Sequence, residues 1–172
     1  MLMLVREHHL TPAMVSGIAS QTHPRRLAHT NRPDPRGALD AKFSVQYCLA
    51  RALVSGQVLI EHFEDGSYDE PEVRAVLRRV TATAWPERKM DLSEHFGADV
   101  QVTLTDGRTV AERVDDVRGT SENPMSREEI VAKARDLITP VLGGAACQKL
   151  VDRILDLERV KNIRELRPLL QG

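Results

Sequence analysis

The fold is decided by the stretch from residue 99 to residue 117, which reads DVQVTLTDGRTVAERVDDV. Apolar residues alternate with polar ones from Val100 to Leu104, which is the period of a strand with one buried face. Asp106-Gly107 is typical of a tight hairpin turn, because glycine tolerates the positive φ that such a turn needs. The alternation resumes at Val110. The stretch therefore predicts a β-hairpin.

On the N-terminal side of the hairpin, the pattern predicts another strand, two helices and a β-prone segment. The strand covers residues 14–22, a loop covers 30–38, one helix runs from about 39 to 54, a second runs from about 69 to 79, and residues 81–85 are β-prone.

Helices are predicted on the C-terminal side. Ser126 followed three residues later by Glu129 forms a capping box, which begins a helix over 127–142. Further helices are expected over 145–158 and 162–170. This order of elements predicts a single α+β domain over residues 1–172, a two-layer sandwich with helices packed on a mainly antiparallel sheet.

Composition argues against a nucleic-acid-binding protein and against a membrane-spanning one. The 172 residues carry a net charge of −1 and only 3% aromatic residues, which is unlike a general nucleic-acid binder. No apolar run is long enough to cross a bilayer, so we expect no membrane partner. Cys48 and Cys147 form no CxxC pair, and a reducing, cytoplasmic location is the simplest interpretation.

The first helix begins without a capping residue. Leu2, Leu4 and Val5 are apolar from the start of the chain, whereas a helix usually has Ser, Thr, Asp or Asn before its first apolar position. The helix is therefore interpreted as the end of a longer one, in a truncated or split protein. The alternative is a frayed N-terminus on a complete protein.

The predicted helix over residues 39–54 is the most informative element. On a helical wheel most of its circumference is apolar, which describes a buried helix. Lys42 and Gln46 nevertheless fall one turn apart within the apolar belt. A narrow polar stripe is formed by Asp40, Ser44, Tyr47 and Arg51. Buried polar groups are kept where they find a partner or a ligand, so these side chains either bind a ligand or are satisfied within the core.

The same helix carries a family resemblance. The run ALDAKFSVQYCLA at residues 38–50 resembles the signature of the MmgE/PrpD family, which includes 2-methylcitrate dehydratase and cis-aconitate decarboxylase. Asn31-Arg32-Pro33 precedes it at the expected place, and the hairpin matches too. Arg118-Gly119 and the run NPMSREE at 123–129 also match. The resemblance extends over nearly the whole chain.

The resemblance implies that the chain is the second, C-terminal domain of a two-domain lyase, without the all-helical first domain. It implies action on a small polycarboxylate, as in 2-methylcitrate dehydratase and propionate metabolism, and little activity for this chain alone. Tyr47 is implied as a catalytic residue and Lys42, Ser44, Gln46 and Arg118 as substrate-binding residues. An N-terminal-domain partner chain and homo-oligomers are expected.

No cofactor or metal is expected. The family needs neither metal nor iron–sulfur cluster, and the six histidines offer no ligand spacing, since adjacent His8 and His9 point about 100° apart on a helix. Two alternatives to an enzyme domain stay open. One is a non-catalytic binding or assembly module that retains the fold. The other is an unrelated regulatory α+β domain.

Overall fold

A computed structural model describes residues 1–64, 66–86 and 97–171. The chain divides into two compact units, Met1–Val117 and Arg118–Gly172. Among the described residues, no helix is both long and apolar enough to span a membrane.

The first unit combines a four-stranded sheet with five α-helices in its described part. Its strands are β1 (Val15–Thr22), β2 (Val80–Ala84), β3 (Ala98–Leu104) and β4 (Thr109–Val114). Its helices are α1 (Leu2–His8), α2 (Pro24–Thr30), α3 (Ala38–Lys42), α4 (Val45–Ser55) and α5 (Pro71–Leu77). Short 3₁₀ turns cover Pro12–Met14, Ile60–Phe63 and Ser67–Asp69.

The sheet has the order β2-β1-β3-β4. β1 pairs with β2 in parallel, while β1–β3 and β3–β4 are antiparallel. Ile18 lies opposite both Val80 and Val102, and all three side chains are buried. The residues that point the other way, such as Ala19 and Gln101, are exposed. One face of the sheet therefore carries the helices and the core, which confirms the α+β prediction.

The hairpin forms as predicted. β3 and β4 pair from Ala98 opposite Val114 to Thr103 opposite Thr109. Gly107 has a φ of 87°, a left-handed conformation that favours glycine at the turn.

The continuous helix predicted over residues 39–54 is wrong, because the chain breaks into α3 and α4. Ser44 adopts an extended backbone with φ −107° and ψ 106°, and its side chain accepts a hydrogen bond from the Tyr47 N–H. Ser44 therefore begins a new helix instead of continuing the first one. Lys42 ends α3 at the surface and Gln46 is buried in α4, so the two do not share one helix face.

Helix α2 lies between the predicted strand over 14–22 and the predicted loop over 30–38, where the sequence analysis predicted no element. Pro24 occupies the first helical position, where its missing N–H costs nothing. The His23 ring caps the helix, since its Nδ1 accepts a hydrogen bond of 3.1 Å from the Arg25 N–H.

The second unit is helical in its described part. Its helices are α6 (Arg127–Leu142) and α7 (Gly144–Leu155), with 3₁₀ turns at Leu157–Arg159 and Ile163–Leu169. The capping box predicted at Ser126 and Glu129 is present with both of its hydrogen bonds. Helices α6 and α7 pack against each other, and buried Leu150 and Leu166 lie in this unit.

Candidate functional site

A cleft of about 390 Å³ lies in the first unit, where the buried face of β1 meets α2 and the N-terminus of α4. It is lined by Ser20, Thr22, Arg26, Thr30, Lys42, Phe43, Ser44, Val45, Cys48, Ala98 and Val117. The sequence pointed to Lys42 and Ser44, and the structure brings both to this cleft. Tyr47 and Gln46 are not among the lining residues, and Arg118 lies in the second unit.

The charged residues of the described cleft lining are both basic. Arg26 and Lys42 line it, and none of the described residues around it is acidic. Lys42 is exposed, and within the described part of the chain its ammonium makes no hydrogen bond or ion pair. A lysine free to donate three hydrogen bonds is suited to a carboxylate or another small anion.

The N-terminus of α4 adds to the positive electrostatic potential of the cleft. Ser44 and Val45, the cap and the first residue of the helix, both line the cleft. The first N–H groups of a helix have no intrahelical acceptor, and the aligned peptide dipoles make this end partially positive. The Ser44 hydroxyl accepts from the Tyr47 N–H at 3.0 Å and donates to the Arg32 carbonyl at 2.6 Å, which fixes the helix end in place.

Three residues with hydroxyl groups, from β1 and α2, also line the cleft. Thr22 donates to the Gly97 carbonyl at 2.9 Å, and Thr30 donates to the Arg26 carbonyl at 3.0 Å. The Ser20 hydroxyl makes no hydrogen bond to any residue in the described ranges. Sequence analysis missed Ser20 and Thr22. Their only signal was a pair of hydroxyl residues at alternate positions of a predicted strand, facing the same way as Ile18.

Cys48 is the thiol of the cleft. Burial raises its pKa to about 11, because the charged thiolate is poorly solvated there. The thiol therefore stays protonated near neutral pH and is a poor nucleophile.

Tyr47 is fully buried and its hydroxyl is engaged on both sides. It donates to the His62 carbonyl, and it accepts from Arg51 Nε at 3.3 Å and Nη2 at 3.2 Å. Its ring contacts Phe63 edge-on, with ring centroids 5.6 Å apart. Burial is the largest cause that raises the pKa of Tyr47, which keeps the phenol protonated. These contacts tie α4 to the segment that follows it, and a catalytic role for Tyr47 stays a prediction.

Gln46 connects α4 to the loop before it. Its Oε1 accepts from the Arg32 N–H at 3.2 Å, and its Nε2 donates to Asn31 Oδ1 at 2.6 Å. Both partners belong to the Asn31-Arg32-Pro33 motif, so this buried glutamine holds the motif against the helix. Its predicted contact with substrate stays untested.

Arg118 is surrounded by acceptors of the second unit. It donates to Asn123 Oδ1 at 2.8 Å and to the Pro124 carbonyl at 2.5 Å, and its Nε donates to Glu129 Oε1 at 3.1 Å. Glu129 also closes the capping box of α6. Arg118 therefore holds the loop that leads into α6, and substrate binding by this residue stays a prediction.

The described residues contain no group of three or more His, Cys, Asp or Glu side chains placed to hold a metal ion. His95, one of the six histidines, lies outside the described residues. The arrangement at the cleft is instead suited to binding an anion through a cation, a helix end and hydroxyl groups.

Comparison with known proteins identifies a family and several relatives. Residues 1–157 match the profile of the MmgE/PrpD C-terminal domain. The chain is 26% identical to the cis-aconitate decarboxylase of Mus musculus, over 98% of this chain and 35% of that protein. It is 27% identical to the cis-aconitate decarboxylase of Homo sapiens, over 85% of this chain and 30% of that protein. Identity to the cis-aconitate decarboxylase of Aspergillus terreus is 31%, over 79% of this chain and 28% of that protein. The chain thus spans about a third of the length of these relatives.

Proposed function

This chain belongs to the MmgE/PrpD family, as a C-terminal domain of that family, and on this premise we propose that it binds a small polycarboxylate for a lyase reaction. The family resemblance predicted from the sequence motifs is confirmed by the profile match. The relatives' names favour an unsaturated tricarboxylate of the cis-aconitate type over a hydroxy-tricarboxylate such as 2-methylcitrate.

The observation that carries the proposal is the basic cleft at the N-terminus of α4. Lys42 supplies an ammonium that bonds no other described residue, Ser44 and Val45 place the helix end beside it, and no described lining residue is acidic. A polycarboxylate needs cationic or N–H donors for each carboxylate, and such donors are strongest where both partners are charged. Lys42 and Ser44 are therefore the substrate-binding residues that the geometry supports best.

Decarboxylation of a cis-aconitate-type substrate breaks the bond between a carbon and a carboxylate. The electron pair passes to that carbon, CO₂ leaves, and a proton must be delivered to the carbon. The role proposed for Lys42 is to bind a carboxylate that is not lost as CO₂ and so to orient the substrate.

Proton transfer is not supplied by the described lining residues. The cleft has no imidazole or carboxylate among them, the Cys48 thiol has a pKa of about 11, and Tyr47 is sealed in the core. General acid–base catalysis needs a group within hydrogen-bond reach of the proton it moves. We therefore propose that the proton-transferring groups come from the larger part of the enzyme that this chain does not span.

Binding of cis-aconitate to the purified chain, measured by isothermal titration calorimetry, tests the proposal. The wild-type chain should bind, and Lys42→Met should weaken binding about tenfold or more by removing a charge-assisted hydrogen bond. Lys161→Met is the matched control, because Lys161 is an exposed lysine of the second unit with no part in the cleft. Equal affinity of wild type and Lys42→Met, or no binding at all, would contradict the proposal and favour an assembly module.

A further inference from the structure

We propose that Ser20 is a ligand-binding residue of the cleft, whose hydroxyl donates a hydrogen bond to a carboxylate oxygen of the bound polycarboxylate. This inference rests on the proposed function and adds a residue from the sheet to a site so far built from helices.

Ser20 lies at the centre of the sheet. It belongs to β1, which runs between β2 and β3, and its neighbours across the sheet are Ala82 and Val100. Its side chain points to the buried face, as those of Ile18 and Val100 do, and the residue is 2% exposed. The apolar neighbours on this face offer its hydroxyl no hydrogen-bond partner.

The other buried polar side chains of the described chain behave differently. Thr22 donates to a carbonyl, Ser44 both accepts and donates, Gln46 is paired with the Asn31-Arg32 backbone and side chain, and Arg51 has several acceptors. Ser20 makes no such bond within the described ranges. No fully buried side-chain nitrogen or oxygen of the described residues lacks a hydrogen-bond partner, so the unbonded Ser20 oxygen is reached from the cleft and is open to a ligand there.

The surroundings of Ser20 indicate what its partner is. The hydroxyl faces the cleft that Lys42 and the N-terminus of α4 also line. A ligand held there by a cation and a helix dipole presents negatively charged oxygens, which accept hydrogen bonds readily. Ser20 acts as the donor from the floor of the cleft, where a carboxylate oxygen of the ligand accepts the hydrogen bond.

Thr22 provides a direct comparison for Ser20. The two residues lie on the same strand, face the same way and line the same cleft, yet only the Thr22 hydroxyl is bonded within the protein. Removing an unbonded hydroxyl should leave the fold as stable as before or more stable, whereas removing a bonded one should lower the melting temperature. Ser20→Ala and Thr22→Val should therefore shift the melting temperature of the unliganded chain in different ways.

The affinity measurement completes the test. By calorimetric titration with cis-aconitate, Ser20→Ala should bind about tenfold more weakly than the wild type, with an unchanged or raised melting temperature. Ser16→Ala is the matched control, because Ser16 lies on the same strand but is exposed and bonded to the Thr103 carbonyl. Its affinity should equal that of the wild type.

Three results would overturn the inference, and they are distinguishable. If Ser20→Ala binds within twofold of the wild type while Lys42→Met loses affinity, Ser20 is no ligand contact and the proposed function stands. If Ser20→Ala lowers the melting temperature as much as Thr22→Val does, its hydroxyl is a structural group. If the wild type does not bind at all, the proposed function fails together with this inference.

Discussion

Arg51 is a buried cation, 3% exposed, whose acceptors come from its own helix and from the segment that follows. Its guanidinium donates to the Tyr47 hydroxyl, to Glu70 at 2.9 Å and to the Ser67 carbonyl at 2.6 Å. Guanidinium offers five donors in a fixed plane, so several acceptors are needed to keep it buried. Two residues of the polar stripe, Tyr47 and Arg51, thus have their hydrogen-bond partners within the protein.

Loss of the Tyr47 hydroxyl should destabilise the chain. Tyr47→Phe removes one acceptor of a buried guanidinium and the donor to the His62 carbonyl, which should lower the free energy of unfolding by about 1–3 kcal/mol. Urea denaturation followed by circular dichroism measures it. The control is Tyr68→Phe, since Tyr68 is half-buried and its hydroxyl makes no bond to another described residue. An equal, small effect of both changes would contradict the network.

The charge pair between Arg51 and Glu70 should make stability depend on acid pH. The hydrogen bond from Arg51 is the largest cause that lowers the pKa of Glu70 below its ordinary value of 4.5. A carboxylate with a lowered folded-state pKa stabilises the fold above pH 4.5, and this contribution is lost as pH falls through the folded-state pKa. Glu70→Gln should therefore destabilise the chain at pH 7. The gap between its free energy of unfolding and that of the wild type should narrow as the pH falls below 4.5.

Denaturation of both chains at pH 7 and at acid pH measures this gap. Glu72→Gln is the control, because Glu72 lies in the first turn of α5, two residues after Glu70, and makes no ion pair among the described residues. It should have a small effect at either pH. A gap between the wild type and Glu70→Gln that stays constant from neutral to acid pH would rule out the linkage.

At the scale of elements, the start of helix α4 is stabilised by the side chain of Ser44. Ser44→Ala removes the side-chain cap of the helix and the bond to the Arg32 carbonyl, so it should cost about 1–2 kcal/mol of unfolding free energy. Thermal denaturation measures the loss, and hydrogen exchange at the Tyr47 amide should accelerate. Ser121→Ala is the control, because Ser121 is exposed and its hydroxyl donates to the neighbouring Glu122, and it should stay within about 0.5 kcal/mol. A normal exchange rate in Ser44→Ala would mean that the cap is dispensable.

The elements show what the sequence can and cannot predict. The hairpin and the capping box of α6 follow from local turn and cap chemistry, so both were predicted with correct positions. The break at Ser44 was missed, because the apolar pattern continues across it and only the loop carbonyl of Arg32 makes the cap favourable. The cleft joins β1 to α4 through contacts distant in sequence, so Ser20 could not be found from spacing.

At the scale of the whole molecule, the proposed function separates substrate binding from proton transfer. The cleft holds a cation, a helix end and hydroxyl groups, whereas its described lining lacks a side chain suited to moving a proton at neutral pH. The net charge of −1 provides little long-range attraction for an anion, so the proposed recognition depends on the local positive potential of Lys42 and the N-terminus of α4. Self-association of the chain, expected from the sequence, stays a prediction.

This separation predicts a specific kinetic result. The chain alone should release no CO₂ from cis-aconitate, and turnover should appear when a separately produced N-terminal helical domain of an MmgE/PrpD protein is added. In that mixture Lys42→Met should raise KM more than it lowers kcat, because in the proposed function Lys42 holds a carboxylate that the reaction leaves in place. Lys161→Met should behave as the wild type. Turnover by the chain alone would contradict the division of roles, since the proton-transferring group would then lie within these 172 residues.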